Sequence, residues 1–392
     1  MQLKELTTPD VSAAQDNSAN NGQGELAIVY CDKNFGKMDG KTANGLVRFS
    51  QKYRIVGVID SDKAGQDAGD VLDGKNNGIP MYRDLSEALK QQNVLPKFFI
   101  YGMAPLGGFL SEDEGRIIFE AMDNGLDIIN GLHEYLTEDE RFVNKAKACG
   151  VRLFDIRKPK EKKDLKLFSG RIFDVQCPKI AVLGTDSAVG KRTTATILTR
   201  ALNKAGLNAV MVATGQTGLI QGARHGVALD AIPEQFISGE MESAVVQAWE
   251  VEQPDVIIVE GQGALSHPAY LSSCFIIRGS RPEAIILQHA PSRKMLGDYP
   301  QIPMPTIESE IELVESFSGS KIIGVTINHE NMTDDEVAHV ARQYEDELGV
   351  TATDVLANGA DKLVETIIAT FPDLAGKMKT TNRWERPDSK LT

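Results

Sequence analysis

The segment 180-IAVLGTDSAVGKRTTATILTRAL-202 constrains this chain more than any other. An apolar run of strand length enters Gly184, a glycine-punctuated turn follows, and Gly190-Lys191 opens a helical pattern. Strand, glycine turn and helix in that order make a phosphate cradle: N–H groups of the turn and of the helix N-terminus hold the anion, and a lysine offsets its charge. The expected cradle is Gly184, Thr185, Asp186, Ser187, Ala188, Val189, Gly190, Lys191, Arg192, Thr193 and Thr194. Two features depart from the ordinary form. Five residues separate Gly184 from Gly190, where four are usual, and Arg192 occupies the position of the magnesium-binding hydroxyl. Backbone N–H groups survive both changes, so anion binding is retained. Magnesium is less well provided for, and would fall to Thr193, with Asp186 and Glu260 as carboxylate ligands. Asp186, inside the loop, has two readings: a partner for a metal or a cationic substrate group, or an acceptor for the loop's own N–H groups.

The rest of the chain alternates strand and helix patterns. Strand-like runs at 25–31, 54–60, 97–104, 126–136 and 151–157 are separated by helical stretches at 84–92, 112–125 and 138–150. After the cradle the pattern resumes, with strands at 208–215, 255–263, 284–290 and 321–329, and helices at 240–250, 333–348 and 360–371. The glycine-rich stretch 216–226 reads as a long loop. Such alternation predicts an α/β fold with mostly parallel sheets covered on both faces. At 392 residues the chain has room for two domains. The expected divisions are a polar extension at 1–24, a first domain at 25–157, a basic linker at 158–177, a second domain at 178–377 and a polar tail at 378–392. Asp60 ends the second strand-like run, the place of a ribose-binding carboxylate in dinucleotide folds, but no G-x-G-x-x-G follows the first strand. A cofactor site and a bare scaffold both remain open for that half.

Composition narrows the function classes. A net charge of −13 argues against nonspecific nucleic-acid binding. No apolar run approaches the length of a membrane span, and the N-terminal residues carry no apolar signal core. Cys31, Cys149, Cys177 and Cys274 are scattered without C-x-x-C spacing, which fits a reducing, cytoplasmic setting better than a disulfide framework. A homodimer is the expected assembly.

Two further groups of residues carry candidate chemistry. In 259-VEGQGALSHPAY-270, Glu260 ends an apolar strand and His267 follows in a proline-ended loop, so either suits a general base. With Lys191 they form the expected catalytic set. Arg224, Arg278, Arg281 and Arg293 lie beside turn formers, and guanidinium forks suit the carboxylates of an acidic substrate. Gln216 and Gln262, in glycine-rich turns, complete the expected substrate-binding set.

Taken together, 100-IYGMAPLGG-108, 130-NGLHEYL-136, 184-GTDSAVGKRTT-194, 212-VATGQTG-218 and 259-VEGQGALSHPAY-270 resemble the DUF1611 family over roughly residues 25–375. That resemblance implies an N-terminal Rossmann-like domain and a C-terminal P-loop NTPase-like domain, with Arg192 normal for the family. It also implies acetyl-CoA-dependent D-glutamate N-acetyltransferase activity, which some members have, although their catalytic residues cannot be matched here one by one. The P-loop half is also similar to dethiobiotin synthetase, from Gly184 to Lys191 and at Glu260-Gly261. Three functions follow as expectations: acetyl transfer from acetyl-CoA to an acidic amino acid; an ATP- and magnesium-dependent kinase or ligase; and a nucleotide-sensing regulator without turnover.

Overall fold

The computed structural model describes residues 24–105 and 107–378. All but one residue of the extension expected at 1–24, and the tail beyond Met378, lie outside that range. The first unit is a six-stranded sheet of β1 (Glu25–Tyr30), β2 (Tyr53–Ile59), β3 (Met81–Tyr82), β4 (Phe98–Tyr101), β5 (Asp127–Asn130) and β6 (Leu153–Asp155), in the order β3-β2-β1-β4-β5-β6. Every pairing in it is parallel. Alternation of strands with helices forces this arrangement, because parallel neighbours need crossovers that cover the faces. Both faces are accordingly apolar: Ile28, Leu46, Phe99, Ile100, Ile118 and Ile128 are fully buried.

The second unit is a seven-stranded parallel sheet of β7 (Lys179–Gly184), β8 (Ala209–Ala213), β9 (His225–Gly226), β10 (Val256–Glu260), β11 (Ala284–His289), β12 (Lys321–Ile327) and β13 (Thr351–Thr353). Its order is β13-β12-β11-β7-β10-β8-β9, so β7 lies inside the sheet and all six of its residues are buried. Ligands in such sheets bind beyond the carboxyl ends of the strands, where the order of connection reverses. The cradle leaves β7 at that end.

Several short elements escaped the sequence pattern. Residues 216–221, expected as loop, form a helix, Gln216–Gln221, capped by backbone N–H groups of Gly222. The strand expected over 126–136 stops at Asn130, whose side-chain oxygen accepts from the Leu132 N–H and turns the chain. β3, β9 and β13 are only two or three residues long, too short to show a period of two.

The expected linker 158–177 is bound down. Glu240 and Glu242 on the helix Glu234–Glu252 are 3% and 2% exposed. Glu240 accepts from the Lys166 N–H (2.7 Å) and the Lys160 ammonium (3.0 Å). Glu242 accepts from the Ser169 N–H and hydroxyl (2.7 and 2.8 Å) and the Ile172 N–H (3.2 Å). Two carboxylates thus take up the polar groups of a segment that has no sheet to pair with, as buried backbone demands.

The two units are also joined through side chains. The helix Lys41–Phe49 of the first packs against Gln216–Gln221 of the second. Thr42 and Thr217 hydroxyls meet at 2.7 Å, and Gln221 Nε2 donates to the Gly45 carbonyl at 2.7 Å. Gln51 and Lys52 N–H groups return to the Gln221 carbonyl, and Arg157 of the first unit pairs with Asp230 of the second. No helix among the described residues is long and apolar enough to cross a membrane, and all four cysteines are free thiols.

Gly239 faces the docked connector. A Cβ there would lie 2.2 Å from the Lys166 carbonyl oxygen and 2.4 Å from the Leu167 carbonyl carbon, both backbone. Gly239→Ala is expected to cost about 1–3 kcal/mol through overpacking, read as a lower urea midpoint with an unchanged slope.

Candidate active site

The cradle is built at the end of β7. Ala188 and Gly190 adopt left-handed backbone, φ 51° and 114°, and the helix Lys191–Lys204 starts at once. Among the described residues the N–H groups of Ala188 and Gly190 have no acceptor within the chain, which leaves them free for an anion. Asn328 pins the turn from behind, its amide donating to the Val189 carbonyl at 3.0 Å. Gln288, on the neighbouring strand, ties the helix to the sheet: its side-chain oxygen accepts from Thr194 and Thr326, each at 2.5 Å.

Lys191 is 5% exposed and donates to the Asp186 carbonyl of its own loop. Burial lowers its pKa to about 8, with Asp186 opposing the shift. A lysine so placed is charged at neutral pH but gives up its proton far more readily than a solvated one.

Asp186 is engaged within the chain, by its own loop and by Arg293. Its carboxylate is fully buried; Oδ1 accepts from the Ser187 N–H at 2.6 Å, and Oδ2 accepts from Arg293 Nη1 at 2.7 Å and the Gly297 N–H at 2.9 Å. Arg293 also makes a fork to Glu330, at 2.8 Å on both oxygens. Arg293 therefore joins the site as a support for Asp186, with its fork already engaged. Among the described residues no group of three or more His, Cys, Asp or Glu is arranged to hold a metal.

Glu260 ends β10, 5% exposed. Its Oε2 accepts from the Thr214 N–H at 3.0 Å, and desolvation raises its pKa against the opposing charges of Arg192 and Lys191. The side chain of Gln262 donates to the Thr214 carbonyl at 2.6 Å and holds the same turn. Gln216, buried at the start of its helix, packs against Gly131 of the first unit. Both glutamines thus shape the turn after β8.

His267 is 4% exposed and lies under the Tyr270 ring, with centroids 4.5 Å apart. Its Nδ1 accepts from the Ala269 N–H at 3.2 Å. That bond assigns the proton of the neutral ring to Nε2, which lies 3.7 Å from Asp186 Oδ1 and is buried without a hydrogen-bond partner. Burial lowers its pKa, so the neutral form prevails. The expected general base is in this geometry an N–H donor without an acceptor.

Arg192 reaches away from the cradle. Its Nη2 donates to the Lys41 carbonyl of the first unit at 3.3 Å and lies against Gly45, where a Cβ would be 2.6 Å away. The residue in the magnesium position bridges the two units. Thr193 is partly buried beside it.

Three expected substrate arginines lie elsewhere. Arg224 is more than half exposed and pairs with Glu252 at 2.9 Å. Arg278 and Arg281 are exposed at the end of the helix Ser272–Ser280, over the rings of Phe317 and Phe173. They precede β11, at the opposite end of the sheet from the cradle. Asp60 is likewise turned inward: fully buried, it accepts from the Phe35 and Asp62 N–H groups at 3.1 and 3.0 Å, which fits a scaffold better than a ribose site. Sequence reasoning missed Lys41, Asp298 and His289. Only Lys41 carried a local signal, a lysine opening a helix after Gly40.

Comparison with known proteins agrees with this architecture. Residues 61–159 match the model described as "Domain of unknown function (DUF1611_N) Rossmann-like domain", and residues 166–364 match "Domain of unknown function (DUF1611_C) P-loop domain". The chain belongs to the DUF1611 family. A DUF1611 protein from Anabaena variabilis, known from its crystal structure, superposes with a TM-score of 0.80 at 28% identity, covering 88% of this chain and all of that one. Two relatives are named D-glutamate N-acetyltransferase. That of a Pseudoalteromonas species is 32% identical over 280 residues, 69% of this chain and 81% of its own. That of Tritonibacter scottomollicae is 28% identical over 280 residues, 70% and 81% respectively.

The cradle's own stability depends on pH. His289 Nδ1 and the Thr185 hydroxyl meet at 2.9 Å, and burial lowers the His289 pKa from 6.5 to about 4. The unfolded chain therefore binds the extra proton between those values, and stability is lost as pH falls through that window. Urea titrations are expected to show up to about 3 kcal/mol lost between pH 6.5 and 4 from this group, and a shallower slope for His289→Gln.

Proposed function

We propose that this protein transfers the acetyl group of acetyl-CoA to the amine of an acidic amino acid, with D-glutamate the first substrate to test. The observation that carries the reading is the 32% identity, over most of both chains, to a relative named D-glutamate N-acetyltransferase. The cradle supports it. The Ala188 and Gly190 N–H groups and Lys191 suit the phosphates of coenzyme A, and the hydroxyl that would hold magnesium is replaced by Arg192.

Acetyl-CoA, as a substrate, supplies an activated thioester. The chain's residues divide the remaining work. Glu260, its pKa raised by burial, takes a proton from the substrate ammonium. The freed amine forms a C–N bond as the C–S bond breaks; the second proton lost by the nitrogen passes to the departing thiolate, and coenzyme A leaves as the thiol. The His267 Nε2–H, buried and without an acceptor, suits the negative charge that develops on the carbonyl oxygen. Lys191 holds phosphate and keeps that end of the molecule in place.

The test is direct. Incubation with acetyl-CoA and D-glutamate is expected to yield N-acetylglutamate by mass spectrometry, with free thiol released one for one. Lys191→Ala is expected to raise the KM for acetyl-CoA roughly tenfold to hundredfold, the loss of one or two charge-assisted hydrogen bonds. Absence of acetylated product across acidic amino acids, with ADP formed from ATP and magnesium, would overturn the proposal in favour of the kinase or ligase reading. His267→Gln is expected to lower kcat by about 10²-fold or more while leaving both KM values near wild type, as for removal of one donor to a developing oxyanion.

A further inference from the structure

Among the described residues Lys41 is a cation without a counter-ion. It opens the helix Lys41–Phe49 of the Rossmann-like domain, where it is partly buried. Among the described residues its ammonium makes neither a hydrogen bond nor an ion pair; only its backbone carbonyl is engaged, by Arg192. Arg192 is similarly under-used. Of its five N–H donors, one has an acceptor, at 3.3 Å. Two cations from different domains therefore lie at the junction, close enough for Arg192 to act on Lys41, and each has donors to spare for an anion. A charge buried without a partner is costly, and chains keep one where a ligand supplies the partner.

The surroundings fix the polarity of the place. The first domain's 38–45 segment lies against the 297–298 turn, where a Cβ on Gly297 would come 2.6 Å from Met38 Cε. Asp298, next in that turn, is the strongest attractive charge on Lys41, yet it does not pair with it. Its Oδ2 instead accepts from the Ser187 hydroxyl at 2.6 Å and the Tyr270 hydroxyl at 2.8 Å, which sets it beside the cradle and beside the ring covering His267. Arg157 and Asp230 also act on Lys41, but they are paired with each other. The unpartnered His267 Nε2 is buried nearby, with Asp298 among the charges acting on it.

We infer that Lys41 and Arg192 form an interdomain subsite for a carboxylate of the amino-acid substrate, with Asp298 on the side of its ammonium group. This rests on the acetyltransferase reading for the identity of the substrate, but the subsite itself is defined by charge and position. It replaces the surface arginines Arg224, Arg278 and Arg281 as the place where an acidic substrate is held. It also gives the Rossmann-like domain a part in the reaction through a lysine rather than through a dinucleotide. Burial lowers the Lys41 pKa, and an anion beside it would oppose that shift.

The experiment uses the whole chain and probes that need no turnover: thermal shift and calorimetry with glutarate, an amine-free dicarboxylate, and with inorganic phosphate. Wild type is expected to bind both. Lys41→Met is expected to weaken glutarate at least tenfold, leave phosphate within about twofold, and melt no lower than wild type when free, because it removes an unpaired charge. Lys41→Gln should behave alike and carries the decision if the methionine variant is unstable. Unchanged glutarate binding in a folded variant would overturn the inference. So would weakened phosphate with unchanged glutarate, which would assign the cations to a phosphate group. Failure of wild type to bind glutarate would also overturn it. Glutarate binding lost in the variants, in a protein that makes no acetylated amino acid, would leave the subsite standing and remove the acetyltransferase reading. Product formation with an unaltered KM for D-glutamate in Lys41→Met would do the reverse.

Discussion

The structure turns on the reach of Arg192 from the first turn of the phosphate-loop helix to the Rossmann-like domain. Its guanidinium donates to the Lys41 carbonyl and lies against Gly45, a position without a side chain to obstruct it. Both ends of that contact matter. At one end is the residue following the cradle lysine, so any shift of the cradle moves the clamp. At the other is the N-terminus of the helix Lys41–Phe49, whose Thr42 and Gly45 continue the interface to Thr217 and Gln221. Exchange of a magnesium ligand for an arginine reads as a change of task, from holding a metal to holding a domain.

Around that clamp the site is organised by buried charge. Asp186 would repel a phosphate if left bare. Arg293 and the Gly297 N–H neutralise it, and Glu330 in turn completes the arginine's fork. Glu260 accepts from the turn after β8 while Lys191 and Arg192 offset its charge. Among the described residues, groups without partners include His267 Nε2, the ammonium of Lys41 and the N–H groups of Ala188 and Gly190, and also Tyr53 Oη, Gln221 Oε1 and His225 Nδ1. Unsatisfied groups are expensive in a folded protein, and on the proposed reading those beside the cradle are completed by the ligand.

Much of this was legible in the sequence. Alternating strand and helix patterns located most strands of both sheets, because parallel strands buried on two faces read as apolar runs. The cradle was visible from Gly184 to Lys191, since its chemistry is local and needs glycine at fixed spacing. The interface was not legible. Lys41 and Arg192 are 151 positions apart, and the Ser187 to Asp298 bond spans 111, with no periodic pattern to link them. Arginine beside a turn former is an equally good description of a surface loop, and Arg224, Arg278 and Arg281 are that. The basic run at 158–166 looked like a solvated connector because the two carboxylates that bind it, Glu240 and Glu242, lie on a helix far along the chain.

The most direct test of the clamp is hydrogen–deuterium exchange of Arg192→Thr, which restores an ordinary hydroxyl after the cradle lysine. If Arg192 holds the domains together, exchange rises in two segments from different domains at once, 38–49 and 216–222, while the strands of both sheets keep their protection. Unchanged exchange in both segments, or faster exchange confined to the phosphate loop, would contradict it.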